Sequence, residues 1–437
     1  MPATAAGEGR PAGVASAAPR DPAAVDAPPT VSAVPVTVVG VDAAGRPAHP
    51  ALAGLLADAG LVVGAARHLA AVSAPPGCAT VTLGPLAPAL DRLAAAVAAG
   101  TPAVVLASGD PGFFGVARRL RAAGLPVRLL PAVSSVAAAF ARAGLPWEGA
   151  VVVSAHGRDL RPALNACRAL PVVAVLTAPG AGAAELGAGL AGWPRELLVA
   201  ARLGSPDERV TRTTPEEAAA TAWPDPHVVL SLAPSAATGV RADNQAAAAP
   251  RGGWALPEAA YAHRGSMITK AEVRALAVAR LRPRLGRLIW DVGAGSGSVG
   301  IECALLGAAV IAVERDPRAP IRANATRHGV DLRVVTGTAP AALAGLPDPD
   351  AAFVGGGGID VLAAVAARRP ARVVATLAAL DRVAPAVHLL RASGYAVEGS
   401  QLTAARLADL PGGSLRLAAT NPVVVLTAEA PSTWEQP

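Results

Sequence analysis

Several residue types are scarce in this chain of 437 residues, and each scarcity limits what the protein can be. The three cysteines lie far apart without the spacing of metal ligands, so we expect no metal site. They are better explained as small buried residues of a protein in a reducing cytoplasm. No run of about 18 strongly apolar residues occurs, so the mean hydropathy of +0.42 does not indicate a membrane span.

Lysine is almost missing, although the formal net charge is +6 and the pI is about 10.1. The arginines that supply this charge are scattered singly, with no basic cluster and no interleaved aromatic residues. This pattern argues against a nucleic-acid partner and would suit an acidic small molecule. The single lysine, Lys270, is a candidate catalytic residue, because an arginine does not fit every site that takes an ammonium.

The length predicts two domains, which we place at residues 35–235 and 254–437. Residues 1–34 are rich in Ala, Pro and Gly and are expected to form a disordered tail. Residues 236–253 show no apolar periodicity and are expected to be a linker.

The most informative stretch joins a short apolar strand, a glycine turn and the start of a helix. Such a turn brings backbone N–H groups against a ligand, and an acid at the end of the following strand can bind both ribose hydroxyls. The predicted cofactor-binding residues of this stretch are Asp291, Gly293, Ala294, Gly295, Ser296, Gly297 and Glu314. The frame that begins at Gly293 is typical of S-adenosylmethionine (SAM) methyltransferases, whereas Gly295-x-Gly297-x-x-Gly300 also satisfies the dinucleotide pattern. Asp291 favours the first frame, because an acid there suits the ammonium of the methionine part.

Three further segments of the C-terminal half are candidate site residues. Thr269 and Lys270 precede a helix, where Thr269 with Glu272 would also form a capping box. Gly337, Thr338 and Ala339 follow a strand where an adenine should lie. Gly355 and Gly356 begin a run of four glycines, which is either a flexible turn or a place of close contact with substrate.

The N-terminal half alternates strands and helices from residue 36 to residue 153, which predicts a mainly parallel sheet. Gly109 and Asp110 follow a strand, and Asp110 is either a ligand contact or a cap of the next helix. Ser134 and Ser135 are candidate cofactor contacts, with Ser134 also a possible N-cap. His156 and Arg158 are structural residues or contacts to an anionic substrate.

These N-terminal segments resemble the tetrapyrrole (precorrin) methylase family. The matching pieces are the opening strand with its glycine turn, the loop Ser108-Gly109-Asp110-Pro111-Gly112-Phe113-Phe114-Gly115, the segment Pro131 to Ser135, and His156-Gly157-Arg158. Asp42 replaces the second glycine of the family's usual opening turn. The C-terminal half is similar to decarboxylating methyltransferases of cobalamin biosynthesis, through Ile268-Thr269-Lys270, Asp291 to Gly297 and Phe353 to Gly358.

The resemblance implies an α/β fold, with a tetrapyrrole-methylase pair of α/β subdomains followed by a Rossmann-like SAM methyltransferase domain. It also implies a cytoplasmic enzyme that methylates a precorrin at C-5 and C-15 with SAM and decarboxylates the ring-C acetate. We expect a tetrapyrrole substrate, a homo-oligomer, and no nucleic-acid, membrane or metal partner. The alternatives are a NAD-dependent oxidoreductase that uses the Gly295 frame and a nucleic-acid methyltransferase.

Overall fold

A computed structural model describes residues 34–234, 254–265 and 268–431 of the chain. The predicted linker and all but the last residue of the predicted tail lie outside the described residues. The strands are β1 (Val36–Val41), β2 (Leu61–Gly64), β3 (Ala79–Thr82), β4 (Ala103–Ser108), β5 (Val127–Leu130), β6 (Val151–Ser154), β7 (Val172–Leu176), β8 (Glu196–Ala201), β9 (Arg209–Thr213), β10 (His227–Leu232), β11 (Leu288–Val292), β12 (Ala309–Glu314), β13 (Arg333–Thr336), β14 (Ala351–Val354), β15 (Arg372–Leu377), β16 (Ala396–Leu402), β17 (Ala405–Asp409), β18 (Leu415–Ala419) and β19 (Val423–Glu429).

The described helices number thirteen and mostly cover the faces of the sheets. They are α1 (Leu52–Ala57), α2 (Ala66–Ala70), α3 (Leu86–Ala98), α4 (Ala117–Ala122), α5 (Ser135–Ala143), α6 (Arg161–Ala169), α7 (Ala183–Leu190), α8 (Pro215–Ala219), α9 (Ala271–Leu281), α10 (Ser298–Leu305), α11 (Ile321–His328), α12 (Gly358–Ala367) and α13 (Val383–Ala392). In the described ranges, none of them is long and apolar enough to cross a lipid bilayer.

The first sheet is wholly parallel, in the order β3-β2-β4-β1-β5. Its inner strand β1 is buried at every position, whereas the edge strand β3 alternates between half-buried and exposed residues. Continuous valine-rich strands of this kind are typical of a sheet covered by helices on both faces. The carboxyl ends of β1, β4 and β5 therefore meet at one edge, which is where ligands bind in open α/β sheets.

The second sheet runs in the order β6-β7-β10-β8-β9. Only β6 and β7 are parallel, and the other three pairs are antiparallel. The mainly parallel sheet predicted for residues 36–153 is confirmed for β1 to β5, whereas β6, the last strand of that range, lies in this second sheet. The pair of β8 and β9 is antiparallel because a turn at residues 202–208 joins them without a helix, and a connection that short cannot join parallel strands.

The third sheet has seven strands, in the order β13-β12-β11-β14-β15-β19-β16. The first five strands are parallel, and β19 pairs antiparallel with both β15 and β16. Trp290 in β11 is fully buried and lies in the largest apolar cluster of this half. A separate hairpin of β17 and β18 was not anticipated from the sequence.

The two halves contact each other at the amino ends of the third sheet. Asn165 in α6 is fully buried and donates to the carbonyl of Gly286 (3.0 Å) and to Asp350 Oδ2 (3.3 Å). The same Asp350 oxygen accepts the amide of Leu288, the first residue of β11, at 2.7 Å. The glycine turn that follows β11 lies at the opposite edge, so the predicted C-terminal site faces away from these contacts.

Candidate active sites

The turn between β11 and α10 needs glycine at three positions. Gly293, Gly295 and Gly297 have φ values of 74°, 56° and 77°, in the left-handed region that side chains disfavour. The amides of Gly293 and Ala294 both donate to the carbonyl of Val313 in β12, at 2.9 and 3.2 Å. These bonds attach the turn to the neighbouring strand and leave the start of α10 facing the same edge of the sheet.

Glu314 lies at the end of β12, beside this turn, as the sequence predicts. Its Oε2 accepts the amide of Gly295 at 2.8 Å, and its Oε1 accepts the amide of Asp316 at 3.0 Å. The carbonyl of Glu314 accepts the amide of Gly337 at 2.9 Å, which brings the segment with Thr338 and Ala339 to the same place. A cavity of about 260 Å³ lies alongside, lined by Glu314, Asp316, Ile321 and Thr336 among others.

Asp291 lies beneath the turn and is 1% exposed. Its Oδ2 accepts the amide of Gly300 at 2.8 Å, and a Cβ on Gly300 would lie only 2.9 Å from that oxygen. Its Oδ1 is buried without a hydrogen-bond partner among the described residues, as is the hydroxyl of Ser296. Burial raises the pKa of Asp291 to about 7, and the charge of Glu314 acts in the same direction.

The glycine run after β14 packs against the turn, backbone to backbone. A Cβ on Gly293 would lie 3.0 Å from the amide nitrogen of Gly356, and a Cβ on Gly355 would lie 3.3 Å from the carbonyl oxygen of Gly293. Gly355 and Gly356 are themselves exposed. This run is therefore a close-packed rim of the predicted cofactor site.

The segment 254–265, which we call the strap, is tied to this site by Asn324, for which the sequence predicts no role, and by Arg264. Asn324 in α11 is 1% exposed; its Nδ2 donates to the carbonyls of Ala262 (2.8 Å) and Ser296 (2.9 Å), and its Oδ1 accepts the amide of Ala262 (2.8 Å). Arg264 forms an ion pair with Asp316 at 2.9 Å. The strap is thus attached both to the glycine turn and to the residues beside Glu314.

A buried ion pair fixes the other end of the strap. Arg274 in α9 and Glu302 in α10 are 0% and 1% exposed, with Nε and Oε1 2.6 Å apart. Glu302 also accepts the amides of Ala255 and Leu256, at 3.1 and 3.0 Å. Arg274 donates in addition to the carbonyl of Thr269 at 2.6 Å. The pair therefore positions the backbone just before Lys270.

The predicted capping box at Thr269 and Glu272 is wrong. The N-cap of α9 is Lys270, whose side chain makes no capping hydrogen bond, and Glu258 Oε1 accepts the first helical amide, that of Ala271, at 2.8 Å. Glu272 instead pairs with Arg406 at 2.6 Å, and Arg406 also pairs with Glu258. Long-range charge pairing thus outweighs the local cap. Lys270 is half-buried at the base of α9.

In the N-terminal half, the loops after β1, β4 and β5 meet closely. A Cβ on Gly40 would lie 2.2 Å from the carbonyl oxygen of Gly109 and 2.4 Å from the amide nitrogen of Ala132. Gly109 has a φ of 65°, and its Cβ would lie 2.9 Å from Cα of Ser134. The structure therefore brings Gly109 and Asp110 together with Ser134 and Ser135, as the sequence suggested.

The polar side chains of these loops have local partners. Asp110 Oδ1 accepts the amide of Gly112 at 2.8 Å, so it closes its own loop and does not cap α4, whose N-cap is Val116. Ser134 is the N-cap of α5 and accepts the amide of Ala137 at 3.1 Å. Asp42 pairs with Arg46 at 2.9 Å, which gives a role to the residue that replaces the expected glycine.

His156 and Arg158 lie in the loop after β6, and both are exposed. The amide of His156 donates to Ser154 Oγ at 3.3 Å, and that of Arg158 to the carbonyl of Ala155 at 3.3 Å. These contacts hold the backbone and leave the charged guanidinium and the imidazole at the surface.

The structure thus contains two clusters of loops at the ends of strands, and the C-terminal cluster combines a glycine turn with an acid at the end of the next strand. Each cluster lies where α/β proteins bind cofactors. Comparison with known families gives the class: residues 29–219 match the tetrapyrrole (corrin/porphyrin) methylases, and residues 259–428 match the precorrin methyltransferase domain. The protein is therefore a methyltransferase of the tetrapyrrole methylase class.

Individual relatives are more specific. Over 319 residues the chain is 43% identical to precorrin-6Y C(5,15)-methyltransferase [decarboxylating] from Sinorhizobium sp, covering 70% of this chain and 74% of the relative. It is 40% identical over 177 residues to the probable cobalt-precorrin-6B C(15)-methyltransferase (decarboxylating) of Pyrobaculum calidifontis, covering 38% of this chain and 90% of the relative. A crystal structure of precorrin-6Y C5,15-methyltransferase from Geobacter metallireducens has 33% identity and a TM-score of 0.38, covering 40% and 97% of the two chains. The chain belongs to the family of decarboxylating precorrin-6Y C(5,15)-methyltransferases.

Proposed function

We propose that this chain methylates a precorrin-6-type tetrapyrrole at C-5 and C-15 with SAM and removes the ring-C acetate carboxylate as carbon dioxide. The product would be a precorrin-8-type intermediate of cobalamin biosynthesis. The observation that carries the proposal is the pair of separate loop clusters in one chain, each in a half that matches a different methyltransferase family. We assign C-5 methylation to residues 35–235 and the C-15 reaction with decarboxylation to residues 254–437.

The C-terminal cluster fits SAM. Its glycine turn leaves no space for side chains at Gly293 and Gly297, and the hydroxyl of Ser296 is buried without a partner among the residues described. We propose that Glu314 binds the ribose hydroxyls and that the adenine enters the adjoining cavity, whose lining includes Thr336, the residue before Gly337, Thr338 and Ala339.

The burial of Asp291 limits how its carboxylate can act on a bound cofactor. Its Oδ1 is enclosed beneath the turn, so direct contact with the methionine ammonium would require the turn to open. We propose that its negative charge acts on the ammonium across the turn, while its Oδ2 holds the amide of Gly300. Gly293 to Gly297 would make the backbone contacts.

In the N-terminal cluster we propose that Gly109, Asp110, Ser134 and Ser135 border the cofactor. Ser134 would contribute through its backbone, because its hydroxyl already caps α5. His156 and Arg158 are exposed beyond β6 and are proposed to bind carboxylates of the substrate, which carries several.

The chemistry asks the protein mainly for alignment and exclusion of water. SAM supplies an activated methyl group, and an electron-rich ring carbon is its acceptor. Thr269 and Lys270 are proposed to face the substrate in the C-terminal half, because the Arg274–Glu302 pair fixes the backbone at this point. The ammonium of Lys270 would stabilise negative charge as the carboxylate leaves and the electron pair enters the ring.

Calorimetry of the full chain with S-adenosylhomocysteine tests the two sites. We expect the wild-type chain to bind two molecules, and each of the variants Gly293→Ala and Gly109→Ala to bind one. Controls are Gly345→Ala and Gly100→Ala, which have φ values of 73° and 64° but open space around the added Cβ. An alanine at either control position has the same unfavourable positive φ, but its Cβ does not clash with neighbouring atoms. Binding of NAD in place of S-adenosylhomocysteine would contradict the proposal.

The cytoplasmic location and homo-oligomeric state also stay proposals. Light scattering of the purified chain measures the oligomeric state directly. A monomer at micromolar concentration would reject it.

A further inference from the structure

A polar cluster lies beside the N-terminal loops and has no part in the assignments above. It consists of Arg67 and His68 in α2 and Ser108 at the end of β4, and we call it the Ser108 cluster. The imidazole of His68 is 4% exposed, whereas Ser108 and Arg67 are exposed. Ser108 directly precedes Gly109, so its hydroxyl lies at the edge of the proposed cofactor loop.

The hydrogen bonds of the cluster define which atom carries which proton. His68 Nδ1 lies 3.3 Å from the carbonyl oxygen of Leu106, which can only accept, so Nδ1 carries the imidazole hydrogen. Nε2 is then an acceptor, 2.9 Å from Ser108 Oγ and 3.3 Å from Nε of Arg67. Arg67 Nη2 donates to Ser108 Oγ at 2.9 Å, so the serine hydroxyl is free to point its own hydrogen at Nε2.

The surroundings keep this imidazole neutral. Burial lowers the pKa of His68, and the charge of Arg67 lowers it further. The strands β2 and β3, against which α2 packs, carry no titratable side chain. The other groups nearby are Asp42 and Arg46, paired with each other in the turn next to the imidazole, the thiol of Cys78, whose pKa burial raises, and Asp110, held by Gly112.

A serine hydroxyl that donates to a neutral, oriented histidine is the arrangement of a general base. Here the serine faces outward, and a guanidinium stabilises negative charge on its oxygen. We propose that Ser108 accepts the proton that the tetrapyrrole loses after methylation in the N-terminal half, and passes its own hydroxyl proton to His68. This inference rests on the proposed function.

The ring carbon forms a bond to the methyl carbon as the sulfur–methyl bond breaks, with the electron pair left on sulfur. The ring then carries an added positive charge and releases a proton to Ser108 Oγ. The Oγ hydrogen moves to His68 Nε2, which becomes an imidazolium. Because burial and Arg67 disfavour that cation, it returns the proton to water between turnovers. His68 acts through Ser108 and is therefore a positioning residue.

The test is single-turnover methylation of a precorrin-6-type substrate by the full chain, from about pH 5 to about pH 9, with each methyl located by mass spectrometry. In Ser108→Ala and His68→Gln we expect the C-5 transfer to slow about 10²- to 10³-fold, as for loss of a general base. The wild-type C-5 rate should fall on the acidic side, below the ordinary histidine pKa of 6.5, and His68→Gln should lose this dependence. His49→Gln is the control.

Two internal checks separate this role from a structural one. The C-15 transfer in the same molecules, and the binding of two S-adenosylhomocysteine molecules, should be unchanged. C-5 rates within a factor of about three of wild type, with the acidic limb intact in His68→Gln, would overturn the relay and leave the proposed function standing. A wild-type chain that adds no methyl at C-5 would overturn both.

Discussion

Replacing Asp291 with asparagine should change how the stability of the C-terminal half depends on pH. The pKa of this buried carboxyl is raised to about 7 from an ordinary value of 3.8, so the folded chain holds the proton more tightly than the unfolded chain. Asp291 therefore favours folding most below pH 3.8, and this contribution is lost as pH rises through about 7.

The size of the effect follows from the same values. The interval from 3.8 to about 7, at about 1.4 kcal/mol per pH unit, sets a ceiling of about 4 kcal/mol. Asparagine keeps an oxygen for the amide of Gly300 and carries no charge. Its amide nitrogen would take the place of Oδ1, where a missing partner costs about 1–3 kcal/mol. The variant should thus be less stable than wild type at about pH 4, where little of the contribution of Asp291 is lost, and more stable at about pH 8, where nearly all of it is lost.

Hydrogen exchange of the ligand-free chain at several pH values, read at the amide of Gly300 and along β11, measures the local free energy of unfolding around Asp291. Asp58→Asn, at an exposed acid, is the control. A bound ammonium should also lower the pKa of Asp291, so binding of S-adenosylhomocysteine near pH 7 should release a proton in wild type but not in Asp291→Asn. Stability curves that stay parallel from about pH 5 to about pH 8 would refute the reasoning.

Two further predictions concern the strap and the lysine. Glu302→Gln leaves the Arg274 guanidinium buried without its counter-charge and should lower the free energy of unfolding, measured by chemical denaturation, by about 3–5 kcal/mol. The control Glu398→Gln, at an exposed pair with Arg280, should lower it by less than about 1 kcal/mol. Equal losses in the two variants would show that burial of the pair does not matter. Lys270→Arg should keep the fold and the affinity for S-adenosylhomocysteine but slow the C-15 reaction about 100-fold, since a displaced charge misaligns the substrate; full activity would remove Lys270 from the site.

The local features of the C-terminal site could be predicted because they depend on neighbouring residues. A strand, three glycines with positive φ and an acid at the next strand end are encoded within residues 288–316, and the structure brings them together. The glycines after Phe353 were recognised for the same reason, and the structure packs them closely on Gly293, whereas their contact with substrate stays a prediction.

Contacts between residues that lie far apart in the sequence could not be predicted from local patterns. Arg274 and Glu302 lie 28 residues apart in different helices, and only the packing of α9 on α10 makes them a buried pair. The cap of α9 was misassigned because Arg406, far along the chain, takes Glu272. The antiparallel part of the second sheet was not predicted because it lies beyond residue 153, where the predicted alternation of strands and helices ends.

The most direct test of the central claim is mass spectrometry of the product formed from a precorrin-6-type substrate and SAM with a deuterated methyl group. The account predicts a product with two labelled methyl groups and one carbon dioxide fewer than the substrate. Gly293→Ala should lose the label at C-15 together with the decarboxylation, and Gly109→Ala should lose the label at C-5. A wild-type product with a single methyl, or with two methyls and its acetate carboxylate intact, would contradict the account.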